Sequence, residues 1–443
     1  MIDLPPPGRF RPPRCWQRLI AVAALWLLSF PAGVHAATDF PAETVQRGQY
    51  LAVAGDCTGC HTNPRGGAPF AGGYGIASPL GVIYSTNITP SRKAGIGDYT
   101  EVQFASAIRK GVRADGTHLY PVMPYTAYTG LSDDDVHALF AYFQQAVAPV
   151  DAQSPKTHLS FPFNLRFSMV LWNALFLKDS RYEVDPSKSP AWNRGAYIVT
   201  ALEHCGACHT PRNLLMAEKT DRAFAGGPVA PWYAPNITSD PISGIGGWSQ
   251  REIAQYLKTG AASPKSQAAG GMAEAISDSL QYLHPRDLDA IATYLATIPA
   301  IRAGTDTGPA FDHGGPAEFE AAVRGVDTGE GSLANGAALY SGNCASCHQP
   351  TGAGTGGQTF PALFHNTVTG ASRADNLIAT ILYGIDRDAG GQRAFMPRFD
   401  DKSYIQPLTD QQISDISNFV LRTFGNPDVR VSTGDVAAAR KGH

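Results

Sequence analysis

An all-α fold of three helical units in tandem is what this chain of 443 residues predicts, and three observations carry the prediction. A Cys-x-x-Cys-His pentad occurs three times, as Cys57-Thr-Gly-Cys60-His61, Cys205-Gly-Ala-Cys208-His209 and Cys344-Ala-Ser-Cys347-His348, at intervals of 148 and 139 residues. Upstream of each stands a short segment of plausible helical periodicity bearing Gly and Tyr: Arg47-Gly48-Gln49-Tyr50, Arg194-Gly195-Ala196-Tyr197 and Asn335-Gly336-Ala337-Ala338-Leu339-Tyr340. Downstream of each runs an apolar-periodic stretch of one length, Leu131 to Tyr142, Leu283 to Tyr294 and Leu408 to Phe419. The starts of these closing helices are marked by Ser132 with Asp135, by Thr409 with Gln412 and by His284-Pro285, which are cap, capping-box and first-turn proline signals. A glycine in the first helix facing an aromatic in the last lets the two cross closely.

The pentad is the sequence mark of covalent c-type haem. Its two thiols bond the porphyrin vinyl groups and its histidine ligates the iron from the proximal side. One pentad alone reads equally as a redox dithiol or half a zinc site. Three copies that consume every cysteine beyond Cys15 point to three haem c groups, held by Cys57 and Cys60, Cys205 and Cys208, and Cys344 and Cys347. His61, His209 and His348 are then the proximal ligands. Each unit runs helix, pentad, long loop, distal ligand, final helix, and so resembles the class I cytochrome c pattern. The resemblance implies three tandem domains, each wrapped round one covalently bound haem that supplies much of the core of a small domain.

A distal ligand must be Met or His. Met123 lies 62 residues after His61, Met272 lies 63 after His209, and Met396 lies 48 after His348. All three stand upstream of the closing helix, in Pro- or Gly-rich segments read as loops that bring a thioether over the haem. Met169 and Met216 read as packing residues. His118, His284 and His365 are the alternative ligands, with surface or capping roles as their competing reading. His/Met ligation raises the reduction potential relative to His/His, and a filled sixth position weighs against a multihaem peroxidase.

Residues 1–36 read as a secretory signal: four arginines, an apolar run from Leu19 to Phe30, and Val34-His35-Ala36 before the cleavage point. The run is about a dozen residues, short of the roughly 18 that span a bilayer. Removing this segment takes the formal charge from −3 to −6, without the basic stripe that a nucleic-acid partner needs. The predicted plan is domain 1 over 37–150, a linker with an apolar segment over 151–186, domain 2 over 187–300, a linker over 301–327, domain 3 over 328–430 and a polar tail over 431–443.

Gly352 to Gly357 matches G-x-G-x-x-G, but it follows a pentad and not a strand, so it reads as a haem-edge loop. The repeated Asn87-Ile88-Thr89 and Asn236-Ile237-Thr238 offer side chains for haem propionates, and the third unit lacks them. The apolar run Leu159 to Leu177 is broken by Pro162, Asn164, Arg166 and Asn173. It reads first as an interdomain helix and second as a docking surface for a membrane.

The segments GDCTGCHT, YSTNITP and LYPVMPY, then HCGACHTPRN, APNITSD and AGGMAEAISDSLQYL, then GNCASCHQPTGAG, FPAL and FMPRF together resemble the cytochrome c subunit of membrane-bound alcohol and gluconate 2-dehydrogenases of Gram-negative bacteria. The resemblance implies a periplasmic electron-transfer subunit at the outer face of the cytoplasmic membrane, peripherally attached. Electrons would come from a catalytic subunit of PQQ, FAD or molybdenum type, accompanied by a small third subunit, and pass to ubiquinone or a terminal oxidase. The three units use up the length, so no substrate-oxidising site is expected on this chain. A free periplasmic shuttle is the runner-up.

Overall fold

In the computed structural model, residues 39–78, 80–318, 331–356 and 359–442 are described, and the expected helix pair is built three times. In the first repeat α1 (Ala42–Ala54) leads to the pentad helix α2 (Cys57–His61), then β1 (Gly75–Ser78), β2 (Gly81–Tyr84), α3 (Glu101–Lys110), α4 (Tyr125–Tyr128) and the closing helix α5 (Asp133–Gln145). The connection carries β3 (His158–Leu159) and α6 (Ser168–Phe176). The second repeat has α7 (Pro190–Tyr197) with a π turn over Ile198–Leu202, the pentad helix α8 (Gly206–His209), β4 (Gly227–Val229), β5 (Trp232–Ala234), α9 (Gln250–Thr259), β6 (Ala261–Ala262), β7 (Ser266–Gln267), α10 (Gly270–Asp278) and α11 (Pro285–Leu295). The third has α12 (Ser332–Asn343), the pentad helix α13 (Ala345–His348), α14 (Asp375–Tyr383), β8 (Ile385–Ala389), β9 (Gln392–Met396), α15 (Asp410–Phe424) and α16 (Thr433–Lys441).

Local chemistry places these helices. Ser132 accepts from the Asp135 amide at 3.2 Å, Thr409 and Gln412 complete a capping box, and Pro285 opens α11. Such caps contribute about 1 kcal/mol each. First and last helices then cross at glycine. A Cβ on Gly48 would lie 1.9 Å from the Ala138 carbonyl oxygen, one on Gly195 1.9 Å from that of Ala290, and one on Gly336 2.2 Å from that of Asp415. The next contacts are Tyr142, Tyr294 and Phe419, the aromatic partners that the sequence pattern calls for.

The framework is helical, yet the all-α expectation needs correcting, because four small antiparallel sheets lie among the described residues. Their strands are two to five residues long, too short for alternation to stand out in the sequence. The β8–β9 hairpin turns on Gly390-Gly391, whose φ values of 60° and 74° suit the two-residue turn that matches strand twist. That turn fixes Met396 opposite Ile385.

One segment read as a linker and one read as a tail are part of the fold. β3 extends the first sheet by pairing with β2. The polar tail is a helix from Thr433 to Lys441, with Val436 fully buried and Arg440 paired to Asp410 at 2.5 Å. The expected signal, Cys15, and the expected start of domain 3 at 328 lie outside the described residues.

From Pro41 onward the chain packs as one unit held by two seams. At the seam between the first two repeats the contacts are reciprocal: Tyr50 donates to Asp287 at 2.6 Å, and Tyr197 donates to Asp135. Each aspartate also takes the arginine of its own repeat, Arg194 at 2.8 Å for Asp287 and Arg47 at 2.6 Å for Asp135. At the seam between the second and third, Asn376 exchanges two hydrogen bonds of 2.9 Å with the Tyr233 backbone.

Candidate haem sites

Each pentad forms one short helical turn, which brings its two thiols and its imidazole onto neighbouring positions. None of the six cysteines is bonded to another. Burial pushes the thiols of Cys57, Cys60 and Cys344 up to about 12, and those of Cys205 and Cys208 also upward. A working redox dithiol has the opposite bias, toward thiolate. Among the described residues no group of three or more His, Cys, Asp or Glu is set to hold a metal ion. Two unpaired thiols and a histidine on one turn fit haem c.

The three histidines share one arrangement. His61 Nδ1 lies 2.6 Å from the Thr86 carbonyl oxygen, His209 Nδ1 2.7 Å from that of Pro235, and His348 Nδ1 2.9 Å from that of Pro361. A carbonyl only accepts, so Nδ1 carries the proton and Nε2 keeps its lone pair. Burial lowers the pKa of each ring more than the carbonyl raises it, which keeps the imidazole neutral. Such a second partner fixes a ligating histidine's tautomer and orientation.

These carbonyls explain the repeated Asn-Ile-Thr motif, and the explanation corrects the propionate reading. Asn87 spends its amide on the Val150 and Ala152 carbonyls and accepts from Thr89, while Asn236 reaches Ile301 and accepts from Thr238. The motif ties the chain beyond the closing helix to the strand end that presents the carbonyl. The third repeat reaches the same result through Phe360-Pro361. The acceptors are backbone atoms 25, 26 and 13 residues beyond the histidines. A side-chain motif search does not see them.

Of the methionines read as distal, one is in a turn and two are on regular elements. Met123 sits in a turn, its amide bonded to the Tyr120 carbonyl at 3.1 Å, and packs with Tyr125 and Trp172. Met272 lies in the first turn of α10 and Met396 ends β9, both half-buried, so the loop expectation gives way to helix and strand. Met169 packs as expected beside Trp172, whereas Met216 is exposed in a tight turn. Among the alternative histidines, His284 stacks on Tyr50 at 4.5 Å and His365 faces the Phe311 carbonyl at 3.2 Å. The Nδ1 of His118 is buried without a hydrogen-bond partner.

The first two pentads begin next to each other. Tyr128 donates to the Gly55 carbonyl at 2.7 Å and its ring meets His204 edge-on at 5.4 Å. Acidic groups gather here: burial, with Asp278 and Glu274 nearby, pushes Asp56 up to about 7. Burial also pushes Glu203 well above the carboxylate range, against the Ser279 hydroxyl that donates to it at 2.8 Å.

Residues 45–146 and 333–424 match the cytochrome c family. The fructose dehydrogenase cytochrome subunit of Gluconobacter japonicus is 48% identical over 404 residues, covering 90% of this chain and 83% of that protein. The chain belongs to the cytochrome c subunits of dehydrogenases. The gluconate 2-dehydrogenase cytochrome c subunit of Pantoea cypripedii is 37% identical over 410 residues, 90% of this chain and 89% of its own length. The cytochrome c subunit of the quinone alcohol dehydrogenase of Gluconobacter oxydans is 36% identical over 430 residues, 94% and 86% of the two chains. As a cytochrome c subunit the protein is an electron-transfer component whose cofactor is haem c. Both family matches fall on the outer repeats, and the middle one carries the same pentad, helix pair and histidine–carbonyl bond.

Proposed function

We propose that the chain carries three haem c groups in three cytochrome c domains, 37–150, 187–300 and 328–430, and relays single electrons from a dehydrogenase catalytic subunit to ubiquinone or a terminal oxidase. The haems supply one-electron iron couples; the protein supplies tethers, axial ligands, burial and spacing. The thioether positions are Cys57 and Cys60, Cys205 and Cys208, and Cys344 and Cys347. His61, His209 and His348 would ligate the irons on one side, with Met123, Met272 and Met396 as their second ligands. The observation that carries this reading is the threefold recurrence of a pentad turn whose histidine donates Nδ1–H to a downstream carbonyl, leaving Nε2 for iron.

The catalytic subunit is of PQQ, FAD or molybdenum type, with a small third subunit, and the place of work is the periplasmic face of the cytoplasmic membrane. Attachment is peripheral in this reading; among the described residues no helix is long and apolar enough to cross a bilayer. The surface for it is the apolar connection. Trp172 is buried and donates to the Leu215 carbonyl at 2.9 Å, while Phe161, Phe167, Leu171 and Leu175 stay exposed. Exposed aromatic and aliphatic side chains gathered in one stretch suit an interfacial contact.

The test is affinity isolation of the tagged protein from solubilised membranes, with mass spectrometry of what accompanies it and haem reduction by candidate substrates. Recovery with a large quinoprotein, flavoprotein or molybdenum subunit, and haem reduction by its substrate, is the expected result. Recovery alone, with haems reducible only by small cytochromes, replaces the subunit reading with a free shuttle.

A further inference from the structure

Strand β8 carries an inverted pattern. Its exposed face bears Asp386 and Asp388, while Arg387 points inward and is only 3% exposed. The guanidinium reaches across the seam from the third repeat into the second, donating from Nη1 to the Ala268 carbonyl at 2.6 Å and from Nη2 to Gln267 Oε1 at 2.8 Å. Its Nε is buried without a hydrogen-bond partner. The group lies flat against Gly260, where a Cβ would come within 2.3 Å of Nε. Among the described residues no carboxylate pairs with it; Asp386 is taken instead by Arg393 at 3.1 Å. A buried guanidinium held only by neutral acceptors is costly, and an apolar side chain on this inward face would avoid the cost.

Its position supplies a reason to keep it. Ala268 lies four residues before Met272, and Arg387 pairs across the hairpin with Ala394, two residues before Met396. The charge is therefore fixed between the two segments assigned as distal to the second and third haems. A haem iron gains one negative charge on reduction, so a nearby positive charge favours its reduced form, most strongly where the surroundings screen poorly. Arginine is the residue whose charge survives burial.

We infer that Arg387 sets the reduction potential of the second or third haem, raising it through a charge left unpaired at the junction of the two repeats. The inference rests on the three-haem reading above. It makes Arg387 a positioning and tuning residue, acting on the haems through space and on the Met272 and Met396 segments through its bonds.

The test is a spectroelectrochemical titration of the purified full chain carrying three haems, in wild type, R387Q and Q267E. R387Q removes the charge and keeps a donor for the Ala268 carbonyl. Q267E keeps Arg387 and places a carboxylate where Gln267 already accepts from it, so charge compensation is reached even if R387Q folds poorly. Either change should shift the reduction equilibrium of the second or third haem about tenfold toward the ferric form, which is 59 mV for a one-electron couple. The first haem stays unchanged. M272A and M396A, each perturbing the spectrum of one haem, assign the shifted one. Unchanged potentials in R387Q and Q267E, or an equal shift of all three haems, each overturn the inference. Fewer than three haems in the wild type overturns the three-haem reading, and this inference with it.

Discussion

A histidine that binds iron through Nε2 needs Nδ1 occupied, and here a backbone carbonyl does this three times over. The pentads were legible because their chemistry is contiguous in sequence. The carbonyls of Thr86, Pro235 and Pro361 were not, since a backbone oxygen leaves no side-chain signature and loop geometry brings it to the ring. The distal side was legible as a short inventory of methionines, but not as a conformation, because β9 owes its register to a diglycine turn. Met396→Ala should open the third haem, lower its potential and produce a high-spin signal in the electron paramagnetic resonance spectrum; an unchanged low-spin spectrum contradicts the ligand assignment. Asp287 gives a second prediction at this scale. Burial pushes its carboxyl up, but Arg194 and Tyr50 outweigh that and hold it below the ordinary 3.8. A depressed folded-state pKa means that its stabilisation is present above 3.8 and is lost as pH falls through the lower folded value. D287N should cost about 1–3 kcal/mol at neutral pH and flatten the loss of stability below about pH 4, read as thermal midpoints across pH. An acid limb as steep as in wild type counts against the assignment.

At the scale of elements, the helix pair is where sequence pattern and packing agree. Gly195 and Tyr294 could be picked out as partners because a small residue facing a large one at fixed spacing is what close crossing demands. The sheets escaped notice because two-residue strands such as β6 carry no periodicity. The C-terminal segment escaped because its polar composition hides one buried side chain, Val436, on which α16 packs. The reciprocal tyrosine–aspartate bonds escaped too, since each tyrosine meets the aspartate of the other repeat, and no spacing within a repeat reports that. G195A should force α7 and α11 apart, given the 1.9 Å approach, and cost about 1–3 kcal/mol or more. A thermal midpoint equal to that of wild type would show that the crossing tolerates a Cβ.

For the whole molecule, the proposed function makes the chain a wire with a grip. Two seams lock the three repeats into a continuous body, and the connection between the first two repeats supplies an apolar exposed stretch. The sequence showed that the Leu159 to Leu177 run was apolar and interrupted. Only the fold shows that Trp172 and Asn173 anchor it, with Asn173 bonded to Tyr125 at 2.8 Å, while Phe167 and Leu171 are left outside. Replacing Phe167 and Leu171 together by serine should lower the fraction that sediments with lipid vesicles severalfold, without altering the haem spectrum. Equal sedimentation would move the membrane contact elsewhere.

The central claim, three haems on three pentads, is tested most directly by haem stoichiometry on the purified chain, with mass spectrometry of the peptides spanning Cys57–His61, Cys205–His209 and Cys344–His348. Three haems per chain are expected, with one covalent haem on each peptide. Two haems, or a pentad peptide recovered with free thiols from fully matured protein, would contradict it.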